Sequence, residues 1–103
     1  MLSLGIDLGY SAVKIAILDA TGRIRHCAYA RHKGRIAQTL RALLEVGARH
    51  CGAQDVALGA VTGSGAALLA GVGLPQTVNE VAALVEGGVR LVPQAGAIVE
   101  IGG

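Results

Sequence analysis

Two short apolar runs, LSLGI and AVKIAIL, stand at the front of the chain with Asp7-Leu8-Gly9-Tyr10-Ser11 between them. Nothing else in the sequence restricts the fold so strongly. In the second run Val13, Ile15 and Ile17 fall on one face and Lys14, Ala16 and Leu18 on the other. That is the period of a strand over 12–18. The first run reads as a strand over 2–7. Asp19-Ala20-Thr21-Gly22 is turn chemistry, and it leads into a third strand over 23–30 in which polar groups are prominent. Connections this short imply an antiparallel meander.

Residues 35–50 then carry a helical stripe, Ile36, Leu40, Leu43, Leu44 and Gly47, with Arg35, Gln38, Arg41, Glu45 and Arg49 on the wet side and Gly52 as the stop. A fourth strand over 56–61 is apolar enough for burial on both faces. It runs straight into Thr62-Gly63-Ser64-Gly65. A short helical turn over 66–70 and a connection over 71–75 follow. Thr77-Val78-Asn79-Glu80 has the form of a capping box for a helix reaching about residue 90, and 97–101 reads as a fifth strand. The predicted order is β-β-β-α-β-(short α)-α-β, an α/β fold in one domain spanning 1–103.

A chain of 103 residues can bury a modest core. With no Trp, no Phe and two Tyr, that core is aliphatic, and no stacking platform for nucleic acid is present. A net charge of +2 is too small to argue for nucleic acid either. The basic stretch RIRHCAYARHKGRIAQTLR reads as a solvated edge strand and helix face. There is no secretory signal and no run of membrane-spanning length. Cys27 and Cys51 lack CxxC or metal-ligand spacing. They read as free thiols of a reducing compartment, hence a cytoplasmic protein. IVEIGG is a buried-strand pattern ending on a glycine pair, which normally opens a turn into something further. The chain is therefore expected to be a piece of a longer protein.

Three glycine-containing turns, DLGYS, TGSG and the terminal IGG, each follow an apolar strand. In open α/β sheets ligands sit beyond the carboxyl ends of the strands, and glycine lets backbone N–H groups approach an anion. A carboxylate at such a place repels phosphate unless a cation lies between. Asp7 would hold hydrated Mg²⁺, while Gly9, Tyr10 and Ser11 bring N–H groups and a hydroxyl to the phosphates, with Thr62 and Gly63 in the neighbouring loop. On local grounds alone a plain hairpin turn is the favoured account of Asp7 and Gly9. Glu80 could position an attacking water or serve the capping box. Lys14 could face a phosphate or lie on the outer face with its stem packed. His26, His32 and His50 share no spacing and read as surface residues. Ser64 has neither a local partner nor a nucleophile-elbow pattern. No P-loop and no GxGxxG is present.

Taken together, these pieces resemble the actin-like ATPase superfamily of actin, heat-shock chaperones and sugar kinases. GIDLGYSAVKIAILDATG resembles its first phosphate-binding hairpin, often GIDxGSTxxK, VNEVAA resembles the chaperone motif NEPTAA, and IVEIGG the start of the second phosphate motif. More narrowly, VTGSG, GLPQTVNEVAA and IVEIGG, in that order, are similar to activators of 2-hydroxyacyl-CoA dehydratases and benzoyl-CoA reductases. YARHKGRI is similar to the long, fused form of these activators.

The resemblance implies a ribonuclease-H-like lobe with five mixed strands and helices on both faces. It implies ATP and Mg²⁺, with ATP hydrolysis coupled to low-potential electron transfer into a partner dehydratase or reductase. On it, Asp7 lies near Mg²⁺, Gly9 to Ser11 contact phosphate, Glu80 lies near the hydrolytic water, and Gly102 and Gly103 belong to the second phosphate loop. Family activators also bind a [4Fe-4S] cluster through cysteines that follow that loop. Cys27 and Cys51 do not match them, so the cluster belongs to a longer parent. The piece should hold half a nucleotide site and show negligible ATPase activity alone. Two other readings stay open: a lobe of a sugar or acyl-phosphate kinase, and a non-catalytic chaperone-like scaffold. Loss of a second lobe would leave an apolar patch and favour self-association.

Overall fold

The structure is a computed structural model that describes residues 2–52 and 56–65, together with Ala83, Leu91 and Gln94. Within them the chain forms β1 (Leu2–Leu8), β2 (Ala12–Leu18), β3 (Ile24–Arg31), α1 (Ile36–Cys51) and β4 (Val56–Thr62). Each element begins and ends within about one residue of its sequence-based expectation. The expected turn over 66–70, the helix opened by Thr77 and Glu80, the fifth strand over 97–101, and Gly102 and Gly103 lie outside the described residues.

The four strands form one sheet in the order β3-β2-β1-β4. The first three pair antiparallel as the expected meander, and β4 lies parallel to β1, so the sheet is mixed. The crossover from β3 to β4 is long enough to carry α1, which is what a parallel return requires. β1 is interior, with β2 on one side and β4 on the other.

Alternation then sorts the side chains. Ile6, Leu8, Val13, Ile15 and Val61 are buried on the face that receives α1, together with Leu40, while Ile36, Leu43 and Leu44 pack around them. Gly47 marks the closest approach, because a Cβ there would lie 3.1 Å from Ile17 Cδ1 and 3.5 Å from Ile15 Cδ1. Burying some half-dozen aliphatic side chains at about 1.5–3 kcal/mol each is the main force holding helix to sheet.

The opposite face carries Gly5, Asp7, Lys14, Ala16, Ala60 and Thr62, which border a cavity of about 270 Å³. A β-bulge decides the membership of this face. β4 pairs Leu4↔Leu58 and then Gly5↔Ala60, leaving Gly59 as the extra residue. A one-residue shift exchanges the two faces of a strand. After it, Val61 points into the core opposite Ile6, and Thr62 stands opposite Asp7. Burial of β4 on both faces, expected from its composition, does not extend to its start, where Val56, Ala57 and Gly59 are exposed.

Candidate functional site

The pairing register builds a row of polar side chains across the sheet. Asp7 stands opposite Lys14 on one side and Thr62 on the other, and Lys14 stands opposite Tyr29. Asp7 is near the carboxyl end of interior β1, where two neighbouring strands flank it. Lys14 thus shares the face of Asp7. Its Nζ lies 3.4 Å from Asp7 Oδ2, with about a third or more of each side chain exposed. An ion pair this wet contributes only ~0–1 kcal/mol, so its geometry matters more than its stability. It engages one carboxylate oxygen. The other, Asp7 Oδ1, is buried and has no hydrogen-bond partner among the described residues. A buried acceptor left without a partner is unfavourable by about 1–3 kcal/mol, so an ordered water, an ion or a ligand is the ordinary means of satisfying it.

The loop after β4 closes over that oxygen. Gly63 adopts φ +98°, and a Cβ at this position would collide with Leu8 O and Asp7 Oδ1. Gly65 N–H donates to Leu8 O at 2.7 Å. The TGSG loop and the end of β1 are therefore in direct contact, and glycine is required there twice over, for its backbone angle and for the space.

The turn between β1 and β2 is closed by a bond of its own. Gly9 N–H donates to Ala12 O at 2.9 Å, closing the hairpin. This bond engages the Gly9 N–H, one of the donors that the sequence pointed toward a phosphate. The role of Gly9 is spatial: a Cβ would sit 3.0 Å from Ala12 O. Tyr10 projects from the tip, 90% exposed.

His32 was legible only as a surface residue, yet it is buried at 8% exposure. Gly34 N–H donates to its Nδ1 at 3.0 Å, so Nε2 carries the hydrogen and donates to Gly9 O at 3.2 Å. Its backbone N–H donates to Ser11 O at 3.1 Å. One imidazole thereby ties the β3–α1 loop to the β1–β2 turn. The signal for it is Lys33-Gly34, a dipeptide at which the chain takes positive φ (50° and 82°) and turns a preceding side chain back on the loop.

A divalent cation fits these residues. Mg²⁺ takes one or two carboxylates and keeps several waters, and Asp7 Oδ1 is a single carboxylate oxygen with no hydrogen-bond partner among the described residues. No cluster of three or more His, Cys, Asp or Glu suited to a tighter metal exists among the described residues. Glu80, Gly102 and Gly103 lie outside those residues. No helix among the described residues is long and apolar enough to cross a membrane. Cys27 is exposed and Cys51 buried, both as free thiols.

No family model matches the chain, and no curated protein does. Solved structures do. Component A of (R)-2-hydroxyglutaryl-CoA dehydratase from Acidaminococcus fermentans aligns with a TM-score of 0.76 at 24% identity, over 92% of this chain and 37% of that one. The activator of 2-hydroxyisocaproyl-CoA dehydratase from Clostridium difficile, solved with bound ADPNP, aligns with a TM-score of 0.70 at 20% identity, over 92% and 35%. The chain has the fold of these proteins, as an α/β reading of the sequence expects, and spans little more than a third of their length.

Proposed function

We propose that the chain is a nucleotide-binding lobe of an ATP-dependent activator that serves a CoA-ester dehydratase or a related reductase. One observation carries the nucleotide part: a buried carboxylate oxygen, Asp7 Oδ1, without a hydrogen-bond partner among the described residues, at the carboxyl end of an interior strand and under a glycine loop. Support for the partner class comes from the fold, shared with two proteins of CoA-dehydratase systems.

In this reading Lys14 holds Asp7 Oδ2 and so fixes which oxygen faces inward. Asp7 Oδ1 holds Mg²⁺ through water, and the bound ion supplies the positive charge that lets a carboxylate and a triphosphate share one site. The turn at Tyr10 and Ser11, with Thr62 and Gly63, flanks the phosphates, and Gly63 keeps the approach free of side-chain bulk. Glu80 positions the hydrolytic water, and Gly102 and Gly103 belong to the second phosphate loop. The remaining half of the site, the [4Fe-4S] cluster and electron transfer into the partner enzyme belong to a longer parent chain in the cytoplasm.

The test is calorimetric titration of the full-length parent with ADPNP, with and without Mg²⁺, for the native protein and Asp7→Asn. The expected result is a Mg²⁺-dependent affinity that falls at least about tenfold in Asp7→Asn, roughly the 1.4 kcal/mol of one good charged contact. Equal affinities for the two proteins in Mg²⁺ would overturn the reading.

A further inference from the structure

Between Asp19 and Glu45 the sequence contains Arg23, Arg25, Arg31, Lys33, Arg35 and Arg41, six of its nine Lys and Arg residues, and no Asp or Glu. The structure gathers three of them. Arg31 at the end of β3, Lys33 in the following loop and Arg35 before α1 line an open groove of about 550 Å³ with His32, Gln38 and Thr39. All three cations are exposed, and none of their side chains has an ion pair or hydrogen bond among the described residues. α1 adds the same sign, since its first turn holds no acidic residue and its N-cap makes no side-chain hydrogen bond.

The cations stand on a loop that is already ordered. His32 N–H bonds Ser11 O, its ring bonds Gly9 O and accepts from Gly34 N–H, and Arg35 N–H returns to His32 O at 2.7 Å. Lys33 is also held at φ +50°, an unfavourable angle for a residue with a Cβ. Preordering removes part of the entropy lost when a surface is bound. The occupant follows from what the loop offers. A compact phosphate is recognised by a nest of inward-pointing amides, but the Gly34 and Arg35 amides are both engaged within the loop. Beside the first-turn amides of α1, the loop presents long cationic side chains spread over five residues, an array that matches several separated carboxylates.

We propose that the Arg31–Lys33–Arg35 loop is a docking surface for an acidic face of a partner protein. It shares no residue with the Asp7 site, so it stands or falls independently of the nucleotide reading.

The probe is a hexaglutamate peptide, titrated into the isotopically labelled full chain while backbone amide shifts are followed, beside inorganic phosphate and a short single-stranded oligonucleotide. Hexaglutamate is expected to shift the amides of 31–39 and to bind more tightly than either other probe, with affinity falling as salt is raised. The variant Arg31→Gln/Lys33→Asn/Arg35→Gln should lose about tenfold in affinity, whereas Arg23→Gln/Arg25→Gln should stay within about twofold. Asparagine keeps the left-handed backbone at 33, and Lys33→Asn alone, expected to lose about threefold, gives the same readout should the triple variant fail to fold. Equal losses in the two multiple variants, unchanged affinity in Lys33→Asn, or tighter binding of phosphate or oligonucleotide at this groove would each overturn the proposal.

Discussion

At the scale of single residues, the site depends on atoms that have one good partner and lack another. Asp7 Oδ2 meets Lys14 while Oδ1 meets nothing among the described residues. Gly63 permits this arrangement, because any side chain at that position would strike Asp7 Oδ1 and Leu8 O from a backbone at φ +98°. Gly63→Ala should therefore lower stability by at least about 2 kcal/mol, read as a shift of the urea midpoint without a change in slope. His32 acts from the other side of the turn. His32→Ala removes the donor to Gly9 O and the acceptor for Gly34 N–H, and should cost about 1–3 kcal/mol. His32→Asn restores an acceptor near the Nδ1 position and should recover part of that loss in the same denaturation experiment. Asp7 and Gly63 stand out in the sequence because each falls where a strand pattern breaks. His32 was not, since a lone histidine has no periodicity and its burial depends on a turn that closes onto it from outside its own segment.

Elements add what no residue shows alone. The strands, helix and meander were legible from alternation at Val13, Ile15 and Ile17 and from the Ile36–Leu40–Leu43–Leu44–Gly47 stripe. The bulge was not. VALGAVT is apolar at nearly every position, so its pattern does not reveal which residues share a face, and the extra residue at Gly59 becomes visible only against β1. The Asp7–Lys14–Tyr29 row was hidden for a similar reason, since it requires two registers at once. Where α1 meets the sheet, Gly47 leaves 3.1 Å between a hypothetical Cβ and Ile17 Cδ1. Gly47→Leu gains helix propensity worth up to about 1 kcal/mol but overpacks the contact by more, so a net loss of roughly 1–3 kcal/mol is expected in thermal unfolding.

The β2–β3 turn is held by Asp19, whose Oδ1 accepts from Thr21 Oγ1 at 2.6 Å, Thr21 N–H at 2.9 Å and Arg23 N–H at 3.0 Å. The Thr21 hydroxyl first, then the backbone amides and the Arg25 charge, hold this carboxyl below its ordinary 3.8. A lowered folded-state value means stability present above the unfolded-state pKa and lost as pH falls through the folded one. The gap in thermal midpoint between the native chain and Asp19→Ala should hold from neutrality down to the ordinary value and narrow at more acid pH.

For the whole molecule, the decisive asymmetry is between the two faces of the sheet. One is sealed by α1. The other combines the small residues Gly5, Ala16 and Ala60 with Tyr29 at 55% exposure and Ile24 at 49%. Ala83 also borders the cavity on that face, so what lies exposed there is the β3 side, at Tyr29 and Ile24. Self-association through this face is the expected consequence. Backbone pairing along the outer edge of β3 is disfavoured, because Arg25 and Arg31 are exposed there and charges on an edge discourage a second strand. The contact should be face to face and apolar, opposed by the like charge of the two basic stretches. Salt screens that repulsion and leaves apolar contact intact. Light scattering at rising protein concentration should therefore show a dimer that strengthens with salt, and Tyr29→Lys should return it to a monomer. A single mass at all concentrations and salts would show that this side of the sheet does not pair, and a dimer that weakens with salt would place the contact among the charges instead.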